Sequence, residues 1–378
     1  MKLNKIEEFI KELCPDGVDT YQIGEICNIS RGKVYSKQYI IDNPGDYPLY
    51  SSQTVNEGML GMIDTYNYDG EYVTWTTDGA YAGSIFYRKG KFSITNVCGL
   101  LKPEDKVSVK YLSYILRVTT RPYVSSGMGN PKLMSNVMSK IEIPVPPLTI
   151  QNEIVRILDN FTELEAELEA ELEARTQQYE YYRNYLINAD NNFIKLKKVV
   201  NYSKTRINSL DINELNYIGV DNLLQNKKGK VPSKYVPKKG NLTKFEKNDI
   251  LLGNIRPYLK KIWYADISGG TNGDVLVMKV NEFYSDKINT RFLYHVLASD
   301  NFFEYDMQHS KGTKMPRGDK ELIMEYEIPI IPMEKQCEIV NILDRFEKLL
   351  NDLTFSLPAE IQARRKQYEY YRDKLLIF

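Results

Sequence analysis

The tract DILLGNIRPYLKKIWY, Asp249 to Tyr264, places Asn254, Arg256, Tyr258, Lys260 and Lys261 close together in the chain. Arginine can grip two neighbouring acceptors at once, asparagine an acceptor and a donor, and lysines add a diffuse positive field. The tract closes a longer stretch, Lys227 to Lys261, that holds eleven basic and two acidic residues, net +9, in a chain whose fifty basic and fifty acidic residues cancel. Acid is concentrated elsewhere, at Glu163, Glu165, Glu167, Glu169, Glu171 and Glu173. The neutral total thus conceals charges sorted along the chain, and the basic stretch is suited to a polyanion. A strand with alternating surface lysines would produce the same tract.

The first half is milder, with 13 basic and 10 acidic residues between Thr20 and Lys140, so polar groups must carry more of any recognition there. Candidates are Arg31 and Lys33 in SRGK, Ser51, Ser52 and Gln53 in YSSQT, and Thr76, Thr77, Asp78 and Tyr81 in TWTTDGAYAG, whose glycines suit a loop that approaches a ligand closely. Lys204 and Arg206 add a basic pair early in the second half. The segments SSGMGNPK (Ser125 to Lys132) and SKGTKMPR (Ser310 to Arg317) offer Lys132, Lys311, Lys314 and Arg317 as phosphate anchors, although a plain surface turn would look the same. Donors in a basic setting, mixed with base-edge readers, point to double-stranded DNA.

Motifs for chemistry are missing. No D/N-P-P-Y/F loop for holding a target amine occurs, since NPGDY at Asn43 and NPKLM at Asn130 do not qualify, and no GxxxxGK[ST] phosphate loop is present. Two histidines, His295 and His309, are little material for acid-base catalysis. Cys14, Cys27, Cys98 and Cys337 are far apart with no CxxC pair, as expected of reduced thiols rather than a zinc site. A dispersed carboxylate nuclease site has no sequence pattern against which to test it. No run approaches the roughly 20 apolar residues of a membrane helix, so the expectation is a cytoplasmic protein with no membrane partner and no metal or cofactor of its own.

The elements that position these residues are written twice. IEIPVPPLTIQNEIVRILDNF (Ile141 to Phe161) matches YEIPIIPMEKQCEIVNILDRF (Tyr326 to Phe346) at a constant offset of 185, and QYEYYR recurs unchanged at Gln178 and Gln367. Ile150, Ile154, Ile157, Leu158, Phe161, Leu164, Leu168 and Leu172 recur at spacings of three and four, which predicts a long amphipathic helix, and the second copy repeats the stripe from Ile339. Pro358 should kink or restart that second helix. Two matching rods most simply pair as an antiparallel coiled coil, although each could pack on its own domain instead. ELEA stands three times in succession at Glu163, Glu167 and Glu171, and four residues lengthen a helix by about 6 Å. Between the constant segments, residues from about 20 to 110 and 193 to 290 share only a rough strand pattern, such as GSIFY near Tyr87 and KKIWY near Tyr264. Equal parts suit a frame, and unequal parts suit contacts that differ between two sites.

IPVPPLTIQNEIVRILD, IPIIPMEKQCEIVNILD, LEAR…QYEYYR, IQAR…QYEYYR and the repeated tetrapeptide make the whole chain resemble a specificity subunit of a type I restriction-modification system. The resemblance implies two duplicated α/β recognition domains separated by two long antiparallel helices forming a coiled coil, with pseudo-twofold symmetry. It implies an N-terminal helix over 1–18 packed on the frame, recognition domains over 19–147 and 190–332, and helical spacers over 148–189 and 333–378. Each domain would read one half of a split, asymmetric DNA site. Two modification subunits would bind the helices and methylate adenine with S-adenosylmethionine, and restriction subunits would add ATP- and Mg-dependent translocation and cleavage. Tyr181, Tyr182, Arg183, Tyr370, Tyr371 and Arg372 of the QYEYYR repeats are the candidate subunit contacts, or they close the helix pair. A coiled-coil protein scaffold and a duplicated DNA-binding regulator without enzyme partners are the alternatives.

Overall fold

The computed structural model describes residues 2–125, 129–188, 192–351 and 356–378. The chain divides into two compact units, Met1–Glu167 with Ala363–Phe378, and Leu168–Gln362. Each contains one mixed α/β module, as the resemblance implies. The five-segment division expected from sequence treats the helices as separate spacers, whereas each half of the long helix here shares the core of one unit.

In the first unit the elements are α1 (Lys2–Leu13), β1 (Thr20–Gln22), β2 (Cys27–Arg31), β3 (Tyr47–Tyr50), β4 (Met59–Ile63), β5 (Tyr68–Thr76), β6 (Ile85–Ile94), β7 (Cys98–Pro103), α2 (Val109–Thr119), β8 (Glu142–Pro144) and the first half of α3 (Leu148–Ile187). Six strands form one sheet in the order β2-β7-β5-β6-β3-β4, and β1 pairs antiparallel with β8. Alternation along β5 decides the packing, because successive side chains leave opposite faces of a strand. Val73 and Trp75 are buried in one cluster with Leu112 and Leu116 of α2, Ile150, Ile154 and Leu158 of α3, and Ile6 of α1, while Phe92, Ile94, Cys98 and Leu100 form a second cluster with Tyr72.

The second unit contains β9 (Phe193–Lys195), β10 (Val200–Tyr202), β11 (Arg206–Asn208), β12 (Tyr217–Ile218), β13 (Asn241–Phe245), β14 (Ile250–Gly253), β15 (Ile262–Tyr264), β16 (Gly269–Thr271), β17 (Val275–Val280), α4 (Thr290–Leu297), α5 (Asp300–Gln308), β18 (Glu327–Pro329) and α6 (Met333–Asn351). The order β10-β17-β14-β15 reproduces β2-β7-β5-β6 strand for strand, and β9 pairs with β18 as β1 does with β8. The modules then diverge. The first sheet continues into β3 and β4, while the second carries a separate sheet, β11-β13-β16-β12, on Leu251, Trp263, Val275 and Val277. The last helix, α7 (Leu357–Leu376), has Pro358 in its first turn, where a missing N–H is harmless, so the proline starts a helix rather than kinking one. Leu353, which continues the apolar stripe that starts at Ile339, lies outside the described residues.

The duplicated segments form the same joints in both units. Buried Gln151 accepts from the N–H of Ser108 at 2.9 Å and donates to the carbonyls of Lys106 and Pro146 at 2.9 and 2.7 Å. Buried Gln336 accepts from the N–H of Asn289 and donates to the carbonyls of Lys287 and Ile331, each at 2.8 Å. Ser108 and Asn289 are the N-caps of α2 and α4, so each glutamine locks the start of a module helix to the turn entering a frame helix. About two turns further on, Asp159 receives Lys110 Nζ at 2.5 Å and the Tyr114 hydroxyl at 2.7 Å, and Asp344 receives Arg291 Nε and His295 Nε2, each at 2.8 Å. Phe161 stacks on Tyr371 and Glu165 pairs with Arg365 at 2.5 Å, so α3 and α7 run antiparallel in the first unit. In the second unit the equivalent pair is Phe346 and Tyr182, on α6 and α3.

Replacing Gln336 by leucine keeps the volume but leaves one N–H and two carbonyls without partners. The expected loss is about 2–4 kcal/mol, at about 1–3 kcal/mol per orphaned group with partial relaxation, read as a lower urea midpoint. Asn152→Leu, at an exposed position, should stay within about 0.5 kcal/mol. Equal effects of the two changes would remove the glutamine from its role.

Candidate nucleic-acid interface

Most of the polar candidates of the first module come together at one end of its sheet. Arg31, at the end of β2, donates from Nη2 to Thr77 Oγ1 at 2.9 Å and to the Asn96 carbonyl at 2.6 Å. Ser51 accepts a hydrogen bond from Thr95 Oγ1 at 3.0 Å, and Lys33 bridges Thr95 through the backbone. Thr76 and Thr77 are buried and serve the loop itself, Thr76 through its hydroxyl to the Tyr81 carbonyl. Asp78 bridges Lys132, and its Oδ1 is buried without a hydrogen-bond partner. Tyr81 is 57% exposed. Gln53 donates to the Met59 carbonyl and thereby shapes the 51–58 loop, beside Ser52. Ser126, Gly127 and Met128 of the anchor segment lie outside the described residues.

Sequence reasoning passed over Arg88, which holds that loop from behind. It is buried, lies 3.6 Å over the Tyr50 ring and donates to the Glu57 carbonyl. Burial lowers its pKa while Tyr50 and Glu57 act against that. In YRKGK it looks like any charge of a β-hairpin, so no local signal marks it.

The second module presents its candidates at the corresponding place. The loop from Asn254 to Lys260 follows β14 as the loop from Thr77 to Gly83 follows β5, at an offset of 177. Four hydrogen bonds recur. Thr76 N donates to Ser84 O at 3.0 Å and Gly253 N to Lys261 O at 2.9 Å; Gly79 N donates to Pro131 O at 3.0 Å and Arg256 N to Pro316 O at 2.7 Å. Leu133 N donates to Thr77 O at 3.0 Å and Gly318 N to Asn254 O at 3.2 Å; Ala82 N donates to Gly79 O at 3.0 Å and Leu259 N to Arg256 O at 2.9 Å. The left-handed positions recur as well, at Gly79 and Gly83 in one loop and at Arg256 and Lys260 in the other. Tyr258, 49% exposed, stands where Tyr81 stands.

Lys311, Lys314 and Arg317 are exposed beside this loop, with Lys311 paired to Asp319 at 2.6 Å and Arg317 to Asp274 at 2.9 Å. Arg206 donates to Thr243 Oγ1 at 2.8 Å on β11, away from the 254–260 loop in the ladder, and Lys204 is exposed just before it.

Three residues of the key tract do not face solvent as the sequence suggests: Asn254 is buried with its Oδ1 unpartnered, Lys261 is buried, and Lys260 is half-buried. Lys261 is 8% exposed and donates to the Val220 carbonyl at 2.5 Å, and burial lowers its pKa. Lys260 pairs with Asp300 at 2.7 Å, and Lys227 pairs with Glu180 at 2.6 Å and Asp300 at 3.3 Å. The +9 stretch is therefore partly neutralised by acids from outside it. Arg256, Lys228, Lys234, Lys238, Lys239 and Lys247 have no ion pair among the described residues and are exposed.

The QYEYYR candidates separate into two groups. Tyr182 and Tyr371 pack on Phe346 and Phe161 and close the helix pairs. Arg183 is buried, donating to the Ala298 carbonyl at 2.8 Å, so it belongs to the core rather than to a docking face. Arg372 pairs with Asp373 at 2.7 Å, while Tyr181 and Tyr370 stay 65% and 56% exposed at equivalent positions.

Among the described residues His295, Asp344 and Glu347 lie close enough to share a metal ion. Arg291 already binds both carboxylates, Asp344 at 2.8 Å and Glu347 at 2.5 Å, and burial lowers the pKa of His295 while Asp344 and Glu347 act against that. The group is a joint between α4 and α6. Cys27 and Cys98 are buried free thiols pushed up to about 12, chiefly by burial.

Two separate stretches, 15–174 and 188–363, match the type I restriction modification DNA specificity domain. The chain belongs to that family. A type I specificity subunit of Mycoplasma pneumoniae is similar, 32% identical over 377 residues, which is 95% of this chain and 97% of that protein. The specificity subunit of the type I restriction enzyme MpnII of the same organism is 45% identical over 175 residues, covering 45% of this chain and 53% of its own. The crystal structure of the type I restriction-modification S subunit from M. genitalium is similar in fold, with TM-score 0.58 and 15% identity over 95% of this chain and 96% of that one. A structure described for complex assembly and conformational transition of the type I system has TM-score 0.61 and 13% identity, covering 96% and 98%. Specificity domains of this family thus occur here in tandem. No helix among the described residues is long and apolar enough to cross a membrane.

Behind the second loop, Asp306 is fully buried with neither carboxylate oxygen hydrogen-bonded, and burial raises its pKa to about 7. Its Oδ1 and the Asn254 Oδ1 would lie 2.4 and 2.8 Å from a side-chain carbon at Gly318, so only glycine fits between them. Between the unfolded value near 3.8 and the folded value near 7 the native chain holds a proton that the unfolded chain has lost. The stabilisation is complete below the lower value and gone above the higher one. Asp306→Asn should therefore be more stable than the parent at pH 8, by up to a few kcal/mol, and no more stable at pH 4. Parallel urea midpoints for the two proteins across this range would contradict the assignment.

Proposed function

We propose that this chain is the non-catalytic DNA-reading subunit of a type I restriction-modification complex, each module reading one half of a bipartite, asymmetric site. One observation carries the reading: two loops of unlike side chains, held by the same backbone hydrogen bonds at the ends of the same strand kernel, each beside basic residues. A frame that repeats and a surface that varies suit two different half-sites read at a fixed gap. Exposed Tyr181 and Tyr370, at matching places of the QYEYYR repeats, suit docking of two equal modification subunits. In this reading S-adenosylmethionine is held by those methyltransferases, and ATP and Mg by the restriction subunits, with none bound by this chain.

The test is binding of the purified chain with its copurifying methyltransferase to duplexes carrying both half-sites. Affinity should fall steeply with salt, because phosphate contacts release counterions. Deleting one tetrapeptide, Glu167 to Ala170, shortens α3 by about 6 Å and should move the preferred gap by about one to two base pairs, at about 3.4 Å each. Affinity indifferent to the gap would refute the reading, and binding of proteins without salt-dependent DNA binding would favour a scaffold.

A further inference from the structure

The loops Thr77–Gly83 and Asn254–Lys260 are the same length and share their backbone bonds, yet differ at nearly every side chain. Tyrosine alone is common to both, at the fifth position, exposed as Tyr81 and Tyr258. A shared residue carries no distinction between two half-sites, so the tyrosine suits a contact common to any duplex. The second and third positions differ most in chemistry: Asp78 and Gly79 in one loop, Ile255 and Arg256 in the other.

Arg256 occupies φ 53, a left-handed conformation in which its partner loop uses glycine. A non-glycine side chain there costs about 1 kcal/mol or more, so the fold alone favours glycine. Its guanidinium is exposed and has no partner among the described residues. Asp78 is the converse: an acceptor with one oxygen buried and unpartnered, beside a glycine.

Resting on the reading above, we infer that these seven-residue loops are interchangeable specificity cassettes. Arg256 donates to the acceptor edge of a guanine in one half-site, and Asp78 accepts from the amino group of a cytosine in the other. Arginine matches guanine O6 and N7, and a carboxylate matches cytosine N4. The matched hydrogen bonds to 131–133 and 316–318 hold each cassette through backbone atoms, while the first and last side chains tie into the module, Thr77 to Arg31 and Lys260 to Asp300, so the middle positions can change without disturbing these supports.

The experiment selects random-sequence duplexes with the full-length chain and its copurifying methyltransferase, and sequences those retained. Arg256→Gly copies the partner loop and removes the strain, so thermal stability should be kept or raised. Discrimination at one G·C pair of one half-site should fall roughly 5- to 150-fold, the span expected of one bidentate contact. Replacing 254–260 by the sequence of 77–83 should change that half-site and leave the other half and the gap as they were. Tyr258→Ala should weaken binding without changing the motif. An unaltered motif with Arg256→Gly overturns the inference, even where the exchanged loop fails to fold. If the unmodified chain selects no bipartite motif, the functional reading itself fails and not merely the assignment of these loops.

Discussion

A buried primary amide tolerates almost no change of position, because both ends must keep their partners in a medium that offers no water in exchange. Gln151 and Gln336 exploit that intolerance. Each spans three backbone groups drawn from two elements, the N-cap of a module helix and the turn before a frame helix. Once the amide is satisfied, α2 is fixed on α3, and α4 on α6. The joints at Asp159 and Asp344 can then differ in detail, with a lysine and a tyrosine on one and an arginine and a histidine on the other. Their shared task is to present a donor pair to a carboxylate already in place. Such joints explain why the sequence repeats closely here: glutamine's geometry has no substitute of equal length and polarity.

The strand kernel inherits its setting from those joints. Val73 and Trp75 of β5 face α2, and Ile250 and Leu252 of β14 face α4, so the ends of β5 and β14 emerge at corresponding places in their modules. Beyond the kernel the modules are free to differ, and they do, one extending its sheet and the other adding a second. Specificity can therefore change without retuning the core. Loop backbones are satisfied by carbonyls and amides of 131–133 and 316–318, groups that every side chain shares.

Periodicity and duplication made the frame readable in the sequence, since apolar residues at helical spacing and a constant offset need no tertiary knowledge. Solvent exposure within QYEYYR was not readable. Tyr181 and Tyr182 are neighbours of one type, and only the position of Phe346 gives the second a ring to pack on and leaves it 38% rather than 65% exposed. The basic stretch misled for a related reason. Charge can be counted along a chain, but Glu180 and Asp300, which neutralise Lys227 and Lys260, come from distant segments. Lys261 looked like a surface donor because an alternating strand face shows no sign in sequence of which side is covered. GSIFY and KKIWY do carry the loop register of 177, yet they conflict with the offset of 185 that rules the frame, and a five-residue likeness cannot decide between two registers. Asp306 was invisible, being one acid among polar residues in DNFFEYDMQ.

Pairing of so many lysines within the fold bears on how DNA can be held. Near its loop the first module keeps Lys33 and Lys132 unpaired among the described residues, and the second keeps Arg256 and Lys314, with Arg317 shared with Asp274. Each phosphate neutralised contributes to the salt-dependent part of affinity, so the cations left unpaired beside each loop set what that module alone can contribute. Covalent linkage alters that balance, because once one half-site is engaged the second meets its module at a high effective concentration, but only when the geometry of the linker permits both contacts.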